Sequence, residues 1–171
     1  ALLSRRFPGL GAQSDRRGWV GVGRYAGAVV IVGQERALER LRLAARRAGH
    51  AYLLVGPTGS GVEEAARAFA AMLIGADGDA RVAGLLARGL HPDVVEFEPH
   101  GFSYRIKEDV REGIIPEAMR APVESERKVL ILREADRLRG NQNECANALL
   151  KTLEEPPPRT IIVLITANPD D

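Results

Sequence analysis

The chain has 171 residues and a mass of 18.5 kDa, with 45% apolar residues, 27% charged residues and a formal net charge of +1. That length and mixture fit one globular domain and exclude a disordered chain, a collagen-like repeat and a disulfide scaffold. The single cysteine, Cys145, excludes an internal disulfide and a cysteine-based zinc site, and no run approaches the ~18–20 apolar residues of a membrane span.

The charge is unevenly spread. Residues 1–28 hold five Arg and one Asp, while residues 29–171 hold 19 basic and 22 acidic residues, so bulk charge does not mark a strongly basic nucleic-acid binder. Arg outnumbers Lys 21 to 3, which we read as coding bias. Residues 1–28 also carry six of the 18 glycines and no apolar periodicity. The arginine pair of Ser4-Arg5-Arg6-Phe7 is not followed by the ~7–15-residue apolar run of an export signal. The segment reads as a disordered leader, with a functional basic arm as the other reading. The chain opens with Ala rather than Met.

From Val29 the pattern changes. Gln34–Arg47 places Leu38, Leu41 and Ala45 at helical spacing, and Gly49 ends it. Ala51–Val55 is a short apolar run, expected as a buried strand. Gly56–Gly61 is a glycine-rich turn, and Val62–Ile74 returns to helical period. A short helix is expected around Arg81–Arg88 and a strand over Asp93–Glu98. Lys107–Arg120 reads as a helix interrupted at Gly113 and Pro116. Lys128–Leu132 is a second apolar strand. Gln142–Glu155 reads as a helix with Ala146, Leu149, Leu150 and Leu153 on one face, stopped by Pro156-Pro157-Pro158. Thr160–Thr166 is a third apolar strand. Apolar strands alternating with helices predict an α/β fold with a parallel sheet covered on both faces.

Gly56-Pro57-Thr58-Gly59-Ser60-Gly61-Val62-Glu63 follows a strand and opens a helix, the context of a phosphate-binding P-loop, GxxxxGK[ST]. Its glycines let backbone N–H groups converge at a helix N-terminus, which carries partial positive charge. The lysine position, however, holds Val62 and the hydroxyl position holds Glu63. One cation that would meet the phosphates is gone, and an anion has arrived. The turn alone leaves two readings equally open: a nucleotide scaffold without its chemistry, or an ordinary glycine-rich strand–helix turn.

Further on, Val129-Leu130-Ile131-Leu132 runs into Arg133-Glu134-Ala135-Asp136. In P-loop ATPases such a strand ends in an acid that holds Mg²⁺, often followed by a glutamate that polarises water. Here Arg133 takes the acid's place, leaving Glu134 and Asp136 as a degenerate version. The run Asn147-Ala148-Leu149-Leu150-Lys151-Thr152-Leu153-Glu154-Glu155-Pro156-Pro157 comes next. Together with the preceding strand it closely resembles the N-terminal module of bacterial DNA polymerase III clamp-loader subunits, which belong to the AAA+ class. Val32-Gly33-Gln34-Glu35 is similar to the entry segment of that module, and His91-Pro92-Asp93 to its HPD segment. The resemblance spans residues 29–171.

The resemblance implies an AAA+-type module truncated before its last strand and lid domain. The expected strand order is Ala51–Val55, Thr160–Thr166, Lys128–Leu132, Asp93–Glu98. In that family the gamma and tau motor subunits keep the P-loop lysine and the Asp-Glu pair, and the delta-prime subunits typically do not. Val62, Glu63 and Arg133 side with the delta-prime type. Such a subunit is a non-catalytic stator in sliding-clamp loading, in the cytoplasm and away from membranes. It has no cofactor of its own, because partner subunits bind ATP and Mg²⁺. Its implied partners are gamma/tau and delta, with the sliding clamp and primed DNA reached through the complex.

By the same resemblance, Asn147, Leu150, Lys151, Glu154, Glu155 and Pro156 are module or interface positions. Thr166 stands at the sensor position, with Asn168 the second candidate. The arginine-finger motif of relatives lies beyond Asp171. The four-cysteine zinc module of many relatives is missing, since residues 76–90 hold no cysteine. His91 is then a hydrogen-bonded loop residue and Cys145 a small core residue. The alternative is an ATP-hydrolysing motor subunit, or another P-loop ATPase with a degenerate site. An unrelated kinase-like domain would leave the Asn147–Pro157 run unexplained.

Overall fold

The computed structural model describes residues 23–25, 28–30, 35–139 and 143–168. The entry segment 32–34 and most of the expected leader therefore lie outside the described residues. Two short strands, β1 (Gly23–Tyr25) and β2 (Ala28–Val30), pair antiparallel across the boundary expected at residue 28.

The main sheet has four parallel strands: β3 (Ala51–Val55), β4 (Val94–Phe97), β5 (Lys128–Leu132) and β6 (Thr160–Thr166). Their order is β3-β6-β5-β4, as expected from the sequence. The register pairs Leu53 with Leu164, Leu130 with Ile162, and Val95 with Leu130. Because side chains alternate across a strand, this register sorts the apolar residues into two layers.

On one face, Tyr52, Leu54, Val94, Val129, Ile131, Ile161, Val163 and Ile165 meet α1 (Glu35–Arg46), α2 (Val62–Leu73) and α3 (Ala80–Ala87). Phe69 of α2 is fully buried there, with the Tyr52 ring edge-on at 4.8 Å. α3 starts where the Asp79 carboxylate accepts from the N–H groups of Arg81 (2.8 Å) and Val82 (3.1 Å). On the other face, Leu130, Leu132 and Ile162 are buried under α5 (Glu144–Glu154) and a helical segment running from Ile106 to Met119.

That segment is continuous, so the interruption expected at Gly113 and Pro116 takes another form. Ile106–Ile114 is π-helical, and α4 (Ile115–Met119) follows with Pro116 in its first turn, where a missing N–H costs little. Asp109 reaches back to accept from Arg105 N–H (2.8 Å), pairs with His100 Nδ1 (2.9 Å), and so secures the start of the segment.

Two expectations need correcting. Ala51–Val55 is not a buried strand. Among the described residues β3 is the sheet edge, and it alternates: Leu53 is 53% and Val55 51% exposed, while Tyr52 and Leu54 face the core. An apolar run reads as buried on both faces, but among the described residues helices cover only the Tyr52 and Leu54 face of β3. On α5, the inward stripe is Cys145, Leu149 and Thr152, and Leu150 is 48% exposed. Ala146 and Leu153 pack against the same core, as expected, whereas Leu150, ~100° round the helix from Leu149, falls on the solvent side. Cys145 is buried, as expected, and its thiol donates to the Tyr104 carbonyl (3.2 Å). No helix among the described residues is long and apolar enough to cross a membrane.

Candidate functional site

The C-terminal ends of the parallel strands are where an open α/β sheet binds ligands. Here β3 passes into the turn 56–61, and Gly56 N–H donates to the Thr166 carbonyl at the end of β6 (3.0 Å). Pro57 to Ser60 close a tight turn through Ser60 N–H to the Pro57 carbonyl (3.0 Å), with Thr58 and Gly59 exposed at its tip. Gly61 is buried and caps α2 with φ 86°, a conformation costly for any residue with a Cβ. A Cβ on Gly56 would stand 2.8 Å from Ser60 Oγ and 3.1 Å from Val62 Cβ, so the turn closes tightly over that position.

The side chains that follow form a chain of ions. Arg133, one residue past β5, donates from Nη2 to Glu63 Oε1 on α2 (2.7 Å) and from Nη1 to Glu98 Oε2 just past β4 (2.8 Å). Arg67, one turn along α2, makes a two-pronged contact with Glu96 (2.6 and 2.8 Å) and lies 4.0 Å from Glu63. Glu96 and Glu98 share one face of β4 by strand alternation. Burial alone would lower the Arg133 pKa, but the Glu63 hydrogen bond and the charges of Glu63, Glu98 and Glu96 outweigh it and hold it above the ordinary value. For Arg67 the Glu96 hydrogen bond is the main cause of an upward shift.

Arg133 is fixed at its backbone too. Its N–H donates to the Phe97 carbonyl (2.9 Å), and the Tyr104 hydroxyl lies 2.6 Å from its carbonyl oxygen. Burial drives the Tyr104 phenol well above its usual value, which keeps it a donor. Among the described residues Arg133 Nε is buried without a hydrogen-bond partner.

The structure separates the other residues singled out in the sequence. Glu134 has φ 49° and turns outward to pair with Arg137 (2.8 Å). Asp136 instead accepts from the Thr166 hydroxyl (2.8 Å), whose oxygen also receives Asn168 N–H (3.0 Å). Thr166 and Asn168, the two sensor candidates, are thus bonded to each other and to the Arg133–Asp136 stretch. Asn147, Leu150, Lys151 and Glu154 form one exposed face of α5 at helical spacing, with Glu155 exposed and Pro156 half-buried beyond its end.

At the opposite end of β4, the HPD segment forms a latch. His91 Nδ1 accepts Asp93 N–H (3.1 Å), so its other nitrogen carries the proton in the neutral ring. Fully buried Asp93 accepts the backbone N–H groups of Val123 (2.5 Å), Glu124 (2.8 Å) and Ser125 (2.7 Å). Burial would raise its pKa, but these three donors together hold it below the usual carboxyl value.

A magnesium–nucleotide complex in a P-loop calls for a lysine at 62, a hydroxyl at 63 and an acid at 133. The residues present supply an apolar side chain and an ion pair instead, so they do not fit that group. Arg67, Glu96, Glu98 and Tyr104 escaped the sequence reading. A signal was available: an acid at the hydroxyl position and a base at the acid position are opposite charges, and Glu63–Arg67 has the i,i+4 spacing of a helix pair.

Comparison with known proteins adds an independent result. Residues 33–171 match the family described as DNA polymerase III, delta subunit. The chain is 37% identical over 127 residues to DNA polymerase III subunit delta' of Pseudomonas aeruginosa, covering 70% of this chain and 38% of that one. It is 36% identical over 129 residues to the delta' subunit of Bacillus subtilis, covering 72% and 38%. It is also 36% identical over 151 residues to the gamma/tau subunit of Mycobacterium tuberculosis, covering 82% and 25%. A gamma subunit-related protein of Thermotoga maritima has a similar solved structure, with TM-score 0.56 and 27% identity, over 75% of this chain and 38% of that one. The chain spans under two fifths of the length of these relatives. It belongs to the DNA polymerase III delta-subunit family.

Proposed function

We propose that the chain is the N-terminal module of a clamp-loader subunit that does not itself hydrolyse ATP. Its role is that of a delta'-type stator, which helps assemble the loader that places the sliding clamp on primed DNA. The observation that carries this reading is the Arg133–Glu63 contact at the two positions that would hold magnesium. Val62 removes the phosphate-binding cation as well. The 36–37% identity to two delta' subunits supports the same reading. Its partners in this role are gamma/tau motor subunits and delta, which bring the nucleotide and metal.

A second reading, a gamma/tau-type motor, draws on 36% identity to a gamma/tau subunit over a longer stretch. The two separate in nucleotide binding and phosphate release by the full-length protein, alone and with restored positions. The expected result is no Mg²⁺-dependent ATP binding by the wild type. Val62→Lys with Glu63→Thr should regain phosphate affinity without turnover, because Arg133 still stands where the metal-holding acid belongs. Turnover by the wild type, or by that double variant, would overturn the proposal.

A further inference from the structure

Two of the three substitutions that set this site apart from a working P-loop, Glu63 and Arg133, lie 70 residues apart, and the fold brings them into contact at 2.7 Å. In a P-loop ATPase the corresponding side chains are joined through a shared metal, with the hydroxyl on the helix side and the carboxylate on the strand side. Here the helix side carries an anion and the strand side a cation, so the two positions attract directly. The link also reaches a third element. The planar guanidinium holds Glu63 of α2 with one nitrogen and Glu98 beyond β4 with the other, a geometry that a lysine's point charge does not offer. Arg67 adds a second bond between α2 and β4 through Glu96. The Arg133 backbone is itself held from both sides, by Phe97 and Tyr104.

We infer that Arg133 is a resident cation, which ties the start of α2 to the ends of β4 and β5 in place of a metal–nucleotide complex. This rests on the reading of the chain as a non-hydrolysing subunit. In nucleotide switches, segments ordered by the metal and γ-phosphate are released on hydrolysis. A tie made of side chains has nothing to release. The P-loop end of this module therefore keeps one arrangement whatever the state of ATP around it.

The test is a double-mutant cycle in the full-length protein with Glu63→Gln, Arg133→Met and both together, read by denaturant unfolding. Amide hydrogen exchange of residues 56–66 is followed with and without Mg–ATP. Glu63→Gln is nearly isosteric and keeps the fold measurable. The expected result is a coupling of about tenfold in the unfolding equilibrium between the two positions. Exchange at the start of α2 should be about tenfold faster in Glu63→Gln, and Mg–ATP should not change it in the wild type. Effects that simply multiply, or unchanged exchange in Glu63→Gln, overturn the inference alone. Slowing of wild-type exchange by Mg–ATP overturns the non-nucleotide reading, and the inference with it.

Discussion

Asp93 enters β4 fully buried and gives its carboxylate to three backbone N–H groups, whereas Glu98 leaves the same strand two-thirds exposed and meets a guanidinium. The first arrangement joins two stretches of backbone with neutral donors. Nothing in it depends on counter-ions, and its partners cannot rotate away. The second joins long, partly exposed side chains, so salt and rotamer freedom both weaken it. One strand thus carries a structural clamp at its start and an electrostatic tie at its end. The clamp is expected to be the stronger of the two, and the tie sits beside the glycine-rich turn 56–61.

The largest break in that contrast should come from Asp93→Ala. It leaves three part-buried N–H groups without their acceptor, and a loss of about 2–3 kcal/mol is expected from denaturant unfolding. Acidification reaches the same clamp. Folded Asp93 titrates below the ordinary carboxyl value. Asp109 does as well, because its bonds from Arg105 and the charges of Arg105 and His100 outweigh its burial. Their contribution is complete above about pH 4, the unfolded value, and is lost as pH falls through the folded values. A stability–pH curve should therefore drop below about pH 4, and drop less steeply in Asp93→Asn.

At the other end, Arg133→Met should cost about 1–2 kcal/mol, since it takes the cation from Glu98 and leaves Glu63 only Arg67, 4.0 Å away. In 1 M NaCl the difference between wild type and Arg133→Met should shrink, while that for Asp93→Ala should hold. An undiminished Arg133 effect in high salt would place it with the clamp. The smallest effect is expected for Leu150→Ser, within about 0.5 kcal/mol by thermal unfolding, because that side chain lies outside the core.

The alternation of apolar strands and helices was legible in the sequence because each element carries its own period. The order β3-β6-β5-β4 came from the family resemblance and crossover handedness rather than from any one residue. What could not be read locally was whatever the topology decides. Leu53 and Val55 look like core residues until the neighbours of β3 are known. The choice between Leu149 and Leu150 needs the roll angle of α5, which Cys145 and Thr152 reveal only in hindsight. Glu63 and Arg133 each read as a loss. Their meeting is invisible until β4, β5 and α2 are brought together, and so is the part played by Glu98.

The position of β6 has a consequence for synthesis. It pairs with β3 on one side and β5 on the other, with Ala51 set against Ile162 and Lys128 against Thr160. Among the described residues no earlier strand bridges β3 to the rest of the sheet. When the chain emerges from the ribosome, β3 must wait for Thr166 to clear the exit tunnel before it gains its neighbour, roughly 5–20 s after Val55 at ordinary elongation rates. Throughout that interval the edge of β3 that β6 will cover stays open at Leu53 and Val55, so nascent-chain chaperones have their longest opportunity at the residues just before the glycine-rich turn.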